Sequence, residues 1–253
     1  MIILQAKAVE KYYGSRNNLT KALSGVSFEV EKGEYIGIMG ASGSGKTTLL
    51  NCVSTIDTVT SGHIFINDND ITSLKPKALA KFRREELGFI FQDYNLLDTL
   101  TAYENIALAL TVLKEAPTKI DEKVKGAAKL LGLTEILHKY PTQLSGGEKQ
   151  RVAAARAIIT EPSLILADEP TGSLDSKSAR QLLEHLQRLV RDAGSTILMV
   201  THDAFSASYC DRIMFIKDGK LFSELVRGSD SRKEFFNRII EVVTLLGGDS
   251  DGF

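Results

Sequence analysis

The sequence GASGSGKTT, Gly40 to Thr48, decides the fold of this chain. It follows a short apolar run, YIGIM, and precedes KTTLLNCVSTI, which has a helical composition. A strand, a glycine loop and a helix in this order are the context in which the pattern GxxxxGK[ST] binds a triphosphate. A glycine-rich turn with an incidental lysine is the alternative, and it would not require the flanking strand and helix. The stretch therefore predicts an α/β fold with a phosphate loop at residues 40–48.

Each residue type in the phosphate loop has a physical reason to be there. Glycines let the backbone wrap around the phosphates so that its N–H groups point at the oxygens, at the positive end of the following helix. Lys46 adds a positive charge for the β- and γ-phosphates, and Thr47 offers a hydroxyl to Mg²⁺. The predicted nucleotide-binding residues of this loop are Gly40, Ser42, Gly43, Gly45, Lys46, Thr47 and Thr48.

A second candidate motif, LILADEP, is an apolar run that ends in two acids. The run predicts a buried strand with Asp168 at its tip, where proteins with a phosphate loop hold magnesium directly or through water. Glu169 would then stand near the γ-phosphate and could orient or deprotonate a water for in-line attack. Two carboxylates in a solvated loop are the alternative, which the complete phosphate loop disfavours.

Length and composition exclude several classes of protein. With 253 residues and a net charge of -1, the chain suits one large α/β domain and lacks the basic excess of a nucleic-acid binder. Its apolar runs fall short of the roughly 20 residues that span a bilayer. No secretory signal is visible at its start, so we expect a cytoplasmic protein. Cys52 and Cys210 do not make a disulfide framework, and we expect both to be buried.

The order of periodic segments predicts one domain with an insertion. Strand-like segments fill the first forty residues, and β and α segments alternate again after Ala157. Between them, ENIALALTVLKE and DEKVKGAAKLLGL have an apolar period of three to four residues, which predicts helices. We expect a core with a β subdomain at 1–94 and 158–230, and a helical subdomain at 95–157. A C-terminal helix and a loose tail would complete the chain at 231–253.

Six motifs in a fixed order resemble those of the nucleotide-binding subunit of an ATP-binding cassette (ABC) transporter, over essentially the whole chain. They are GASGSGKTT, Gln92 after GFIF, LSGGE, LILADEP, GSLD and the His202 of VTHD. The resemblance implies an ABC-type ATPase core of the P-loop NTPase fold, with an N-terminal antiparallel β subdomain and an inserted α-helical subdomain. It also implies hydrolysis of ATP with Mg²⁺.

The resemblance implies roles for single residues. Gln92 would reach Mg²⁺ and the attacking water, and His202 would contact the γ-phosphate and hold Glu169 and the water in line. Tyr13 would stack on adenine, with the neighbouring Tyr12 as the rival candidate and a surface tyrosine as the plain alternative. The implied catalytic residues are Glu169, His202 and Gln92, and the implied metal ligands are Thr47, Gln92 and Asp168.

The stretch LSGGE, here called the signature stretch, looks like half of a phosphate site without a lysine or a metal ligand. By resemblance, two ATP molecules lie between two head-to-tail copies, and the signature stretch of one closes over the nucleotide of the other. Ser145 would donate to the γ-phosphate, while Gly146 and Gly147 allow close approach. Asp175 would lie in the loop that contacts the opposite copy. Because a carboxylate repels a triphosphate, we expect the side chain of Glu148 to point away.

The segments GFIFQDYNLLDTLT and ASYCDRIMFIKDGK resemble most the bacitracin- and lantibiotic-resistance group, within a branch that also serves macrolide export and lipoprotein release. The resemblance implies a second copy, an integral membrane permease and, through it, a two-component sensor kinase as partners, at the inner face of the membrane. We expect Asp93 to Thr101 to contact the permease; a self-packed loop is the alternative. Two other functions are weighed against this one: a soluble cassette acting on nucleic acid or ribosomes, and a scaffold that binds ATP without hydrolysis.

Overall fold

The computed structural model describes residues 1–15 and 18–248, so the predicted tail beyond residue 248 lies outside the described residues. The strands of the described part are β1 (Ile2–Ser15), β2 (Asn18–Glu31), β3 (Tyr35–Met39), β4 (Ser61–Ile66), β5 (Asn69–Asp70), β6 (Leu87–Phe91), β7 (Leu164–Asp168), β8 (Ile197–Val200), β9 (Arg212–Lys217) and β10 (Lys220–Val226). The α-helices are α1 (Lys46–Val53), α2 (Pro76–Glu86), α3 (Ala102–Val112), α4 (Pro117–Leu130), α5 (Gly146–Ile158), α6 (Ser176–Ala193), α7 (Ala204–Ala207) and α8 (Arg232–Gly248). Within these ranges no helix is both long and apolar enough to cross a membrane.

The larger sheet carries the predicted site at the carboxyl ends of its strands. Its order is β10-β9-β3-β8-β7-β6. The strands from β9 to β6 are parallel, and β10 forms an antiparallel hairpin with β9 at one edge of the sheet. Strand β3 is buried on both faces: Tyr35 and Met39 join one core cluster, and Ile36 and Ile38 join the other. Continuous apolar runs in this sheet follow from that burial, because parallel sheets are covered on both sides.

The smaller sheet is antiparallel, with the order β2-β1-β4-β5. The alternating residues Val26, Phe28 and Val30 are buried in the same core cluster as Ile36 and Ile38. Strand β2 begins at Asn18, well before this alternating run. Its first four residues are exposed and pair with β1 through backbone hydrogen bonds, which need no apolar pattern.

Helices α3, α4 and α5 form the predicted helical insertion, and α5 also packs against β6. The approach of α5 to β6 requires a glycine, because a Cβ on Gly88 would lie 2.3 Å from the carbonyl oxygen of Ala157. Cys52 and Cys210 are buried and free, as expected. The predicted α/β class, with an antiparallel N-terminal sheet and a helical insertion, is confirmed.

Candidate nucleotide site

The phosphate loop connects the buried strand β3 to α1. Gly45 has a φ of 106°, and a Cβ there would lie 2.5 Å from the carbonyl oxygen of Ala22, so only glycine fits. The buried Lys46 folds back over the loop, and its Nζ donates to the carbonyl oxygens of Gly40 (2.8 Å) and Ala41 (2.9 Å). These two acceptors hold the ammonium group inside the curve of the loop.

The remaining predicted residues of the phosphate loop lie on its open side. Ser42, Gly43 and Thr47 are exposed, and Thr48 is half-buried. Their backbone and hydroxyl groups are therefore accessible to a ligand that lies over the N-terminus of α1, where the helix dipole favours anions.

Asp168 and Glu169 lie at the carboxyl end of β7, close enough to Lys46 to affect its ionisation. Burial lowers the pKa of Lys46, and the charges of Glu169 and Asp168 oppose that shift. Burial raises the pKa of Asp168, the charge of Glu169 raises it further, and Lys46 opposes both. One ammonium and two carboxylates thus share a small, partly desolvated region beside the phosphate loop.

One buried oxygen in this region matches a site for a hydrated cation. The Oδ1 of Asp168 is buried and has no hydrogen-bond partner among the described residues. Carboxylate and hydroxyl oxygens are the ligands that Mg²⁺ prefers, together with water and substrate phosphates. No group of three or more His, Cys, Asp or Glu side chains in the described part of the chain could hold a metal. The residues therefore fit a magnesium ion that arrives with a nucleotide and is held only partly by protein.

Glu169 and His202 form a direct pair. The Nδ1 of His202 lies 2.8 Å from Oε1 of Glu169, and the backbone N–H of His202 lies 3.4 Å from Oε2. Glu169 has a φ of 45°, which non-glycine residues rarely adopt, and its N–H donates to the carbonyl oxygen of Val200 (2.9 Å). The carboxylate is 18% exposed and the imidazole is 71% exposed. A carboxylate held by an imidazole at a strand end is an arrangement suited to a general base.

Gln92 lies immediately after β6, beside the loop that follows Glu169. Its side chain is exposed and lies over Gly172, where an added Cβ would be 3.0 Å from Cδ of Gln92. Phe91 is the register partner of Asp168 in the parallel pair β6 and β7. Gln92 and Glu169 are therefore the first residues after two adjacent strands, at the same level of the sheet.

Tyr13, rather than Tyr12, lies on the side of the phosphate loop. The hydroxyl of Tyr13 donates to Asp57 (2.6 Å), which lies just beyond α1, and Tyr13 is 42% exposed. Burial raises the pKa of Tyr13, Asp57 raises it further, and a hydrogen bond with Thr48 opposes the shift. Tyr12 instead donates to Glu10 (3.0 Å).

The signature stretch begins α5, and the side chain of Glu148 turns back onto Ser145. Ser145 is the N-cap, and its hydroxyl accepts from the N–H of Glu148 (3.3 Å). The Glu148 carboxylate turns back and accepts from both the N–H and the Oγ of Ser145, each at 2.8 Å. Both hydrogen bonds from Ser145 lower the pKa of Glu148, and the charges of Lys139 and Arg151 lower it further. The capping box therefore sets the direction of the Glu148 side chain, and its direction relative to a triphosphate bound by another copy stays a prediction.

Asp175 has a structural partner within its own chain. As N-cap of α6 it accepts from the N–H of Lys177 (3.0 Å) and from the N–H (3.0 Å) and Oγ (2.7 Å) of Ser178. Gly146 and Gly147 lie nearby, and a Cβ on Gly147 would be 2.6 Å from the Oγ of Ser178. Across the described part of the chain, the side-chain hydrogen bonds of Ser145 and Asp175 stay local, and none reaches the phosphate loop. Neither Ser145 nor Asp175 is thus hydrogen-bonded to the phosphate loop of its own chain among the described residues.

Asn105 was not singled out from the sequence, because it lies in the otherwise apolar run of α3. It is fully buried, and its Oδ1 accepts from the N–H of Leu97 (2.8 Å). Its Nδ2 donates to the carbonyl oxygens of Leu97 (3.1 Å), Leu100 (3.0 Å) and Thr101 (3.0 Å). One amide therefore fixes the loop before α3.

Comparison with known proteins agrees with this geometry. A family model described as "ABC transporter" matches residues 23–172. The bacitracin export ATP-binding protein BceA of Halalkalibacterium halodurans is 54% identical over 98% of this chain and 98% of that protein. The macrolide export ATP-binding/permease protein MacB of Hyphomonas neptunium is 44% identical over 88% of this chain, which spans 34% of its length. A dimeric structure of the cassette MJ0796 of Methanocaldococcus jannaschii superposes with a TM-score of 0.81 at 37% identity, covering 88% of this chain and 98% of that one.

The family match covers more than half of the chain, and the relative with a bacitracin-export name matches it almost from end to end. The chain therefore belongs to the ABC transporter family, as an ATP-binding subunit that hydrolyses ATP to drive transport.

Proposed function

We propose that the subunit powers a membrane permease that confers resistance to peptide antibiotics of the bacitracin or lantibiotic type. The observation that carries the catalytic part is the 2.8 Å pair of Glu169 and His202 at a strand end beside the buried Lys46. The 54% identity with BceA, a bacitracin export protein by name, supports the substrate class.

In this proposal Glu169 is the general base, and His202 and Gln92 position it and the water. The water oxygen attacks the γ-phosphorus, Glu169 takes one of its protons, and the bond from phosphorus to the leaving oxygen of ADP breaks. Lys46 and the phosphate-loop N–H groups stabilise the charge of the transferring group. Asp168, Thr47 and Gln92 would hold Mg²⁺, which neutralises phosphate charge when bound. Tyr13 would stack on the adenine.

Two copies would share each site. Ser145, with Gly146 and Gly147 at the positive start of α5, would face the γ-phosphate bound by the other copy, and Asp175 would lie at the contact between copies. The dimeric MJ0796 structure supports this arrangement, and so does the lack of a hydrogen bond from Ser145 or Asp175 to the phosphate loop among the described residues.

A mixture of two inactive variants tests the sharing. Lys46→Ala removes the phosphate-loop charge, and Ser145→Arg blocks the signature stretch. Shared sites leave one intact site in the mixed dimer, so we expect ATPase activity that neither variant has alone. If the mixture stays as inactive as each variant over a range of ratios and ATP concentrations, self-contained sites are favoured.

The permease would dock between β6 and the helical insertion. A cavity of about 420 Å³ lies there, and its lining includes the stacked rings of Phe89 and Phe91 and the exposed side chain of Val112. In the adjoining loop, residues 93–101, Leu97 is 48% exposed, so the loop is only partly self-packed.

The proposal includes the division into a core and β subdomain (1–94 and 158–230), a helical subdomain (95–157) and a C-terminal region (231–253). It also includes a peripheral position at the inner face of the membrane and a sensor kinase reached through the permease.

The direct test is affinity purification of the tagged subunit from membranes, followed by ATPase assays of the complex with and without bacitracin. We expect a co-purified permease and ATP turnover that bacitracin stimulates. Stimulation by macrolides instead would favour the macrolide-export alternative, which the similarity to MacB supports. Binding of ATP without phosphate release, with or without the permease, would contradict the motor function.

A further inference from the structure

Gln150 is a fully buried glutamine of α5 that contacts the ends of both catalytic strands. Its Nε2 donates to the carbonyl oxygen of Phe91 (2.9 Å) and to that of Pro170 (2.7 Å). Phe91 immediately precedes Gln92, and Pro170 immediately follows Glu169. A single amide group therefore holds the backbone next to both residues.

The surroundings of the Gln150 amide show that it acts as a hydrogen-bond donor. The Oε1 of Gln150 is buried without a hydrogen-bond partner among the described residues. The opposite orientation of the amide would press Oε1 against two carbonyl oxygens, so the acceptors fix the orientation. An unpaired buried acceptor costs about 1–3 kcal/mol, which an apolar side chain of similar size would avoid. Packing alone therefore does not account for a glutamine at this position.

A second side chain of α5 holds the same loop. Arg156 donates through Nη2 to the carbonyl oxygen of Tyr94 (2.9 Å) and through Nη1 to that of Asn95 (2.5 Å). Burial lowers the pKa of Arg156. Segment 91–95 is thus fixed to α5 at two points, on the helix whose first turn carries Ser145.

We propose that Gln150 is a positioning residue for ATP hydrolysis, which sets the separation between the Gln92 loop and the Glu169 loop and fixes both relative to the signature stretch. The inference rests on the proposed function of these residues. A misplacement of about 1 Å at a reacting centre can lower a rate by about 100-fold. Because Gln150 has no hydrogen bond to the phosphate loop among the described residues, its loss affects turnover and leaves ATP affinity unchanged.

Gln150→Met in the full chain removes both donors and keeps the side-chain volume. We expect kcat to fall roughly 10- to 100-fold, with the KM for ATP and the affinity for a fluorescent ATP analogue within about twofold of the parent. Gln187→Met is the matched control, because Gln187 is a half-buried glutamine of α6 that also donates to a backbone carbonyl, that of Tyr209 (3.2 Å), away from the site. The control should keep the parent kcat.

Gln150→Glu supplies a readout that a purely structural role would not change. An ionised carboxylate cannot donate, whereas a protonated one can donate a single hydrogen bond, and burial against the carbonyl oxygens of Phe91 and Pro170 raises the pKa of such a carboxyl. Relative to the parent, its kcat should therefore rise as the pH falls from about 8 to about 6. The relative kcat of Gln150→Met should stay flat over that interval.

The outcomes separate the inference from the proposed function. A parent protein without ATPase activity contradicts the proposed function itself. If the parent is active, the inference is contradicted when folded Gln150→Met keeps the parent kcat. It is also contradicted when the KM of this variant for ATP rises by the same factor as its kcat falls. Should Gln150→Met not fold, a pH-independent relative kcat of Gln150→Glu overturns the inference on its own.

Discussion

Replacing Glu148 with glutamine should strengthen the ATP-dependent pairing of two copies. The Ser145 hydroxyl has one proton, and it donates that proton to the Glu148 carboxylate. In a shared site the same hydroxyl would have to donate to a γ-phosphate, beside the negative charge of Glu148. Glutamine keeps a capping residue at this position but removes the charge.

The size of the effect follows from the contact distance. Oε2 of Glu148 lies 2.8 Å from Oγ of Ser145. A phosphate oxygen bonded to the same hydroxyl would lie at a similar distance, so the two charged oxygens would be at most about 5.5 Å apart. Two unit charges at this separation repel by about 0.8 kcal/mol in water and by about 3 kcal/mol at an effective dielectric constant of 20. For a partly exposed site we expect about 1.4 kcal/mol, or roughly a tenfold tighter pairing per site.

Sedimentation velocity over a range of ATP concentrations measures this pairing, with parent and variant both carrying Glu169→Gln to stall hydrolysis. The matched control is Glu234→Gln at the start of α8, where the Glu234 carboxylate accepts from the N–H of Ser231 (2.8 Å) in an equivalent cap. That change should leave pairing unaltered. The gain from Glu148→Gln should shrink at high salt. Unchanged or weaker pairing of the Glu148 variant at low salt would refute the electrostatic reasoning.

Three further changes test other parts of the site and the fold. His202→Ala removes the imidazole from Glu169 and should lower kcat by about 100-fold while ATP binding persists, as phosphate release and equilibrium binding will show. Tyr13→Ala should weaken ATP binding by roughly 2- to 10-fold in a titration, while Tyr12→Ala should not, because only Tyr13 lies beside α1. Gly88→Ala places a Cβ 2.3 Å from a carbonyl oxygen of α5 and should cost about 1–3 kcal/mol, seen as a melting temperature lower by roughly 3–10 °C.

Local patterns predicted the elements that carry the site, because their signals are contiguous in sequence. A glycine loop after an apolar run located Lys46, and an apolar run ending in acids located Asp168 and Glu169. The start of β2 at Asn18 was not predicted, since its first residues are exposed and pair only through the backbone. A carboxylate three residues after a serine is also a local signal, and the capping box of Ser145 and Glu148 could have been predicted from it.

The sequence by itself determined the chemistry of this protein: which residues can bind phosphate, which acids end the central strand, and which family the chain resembles. Only the tertiary structure decided which side chains meet. It chose Tyr13 over Tyr12 for the side next to α1 and brought Gln150 to two strand ends. The physical reason is that motif residues show their chemistry through type and spacing, whereas a buried amide acquires its partners only when distant segments pack around it.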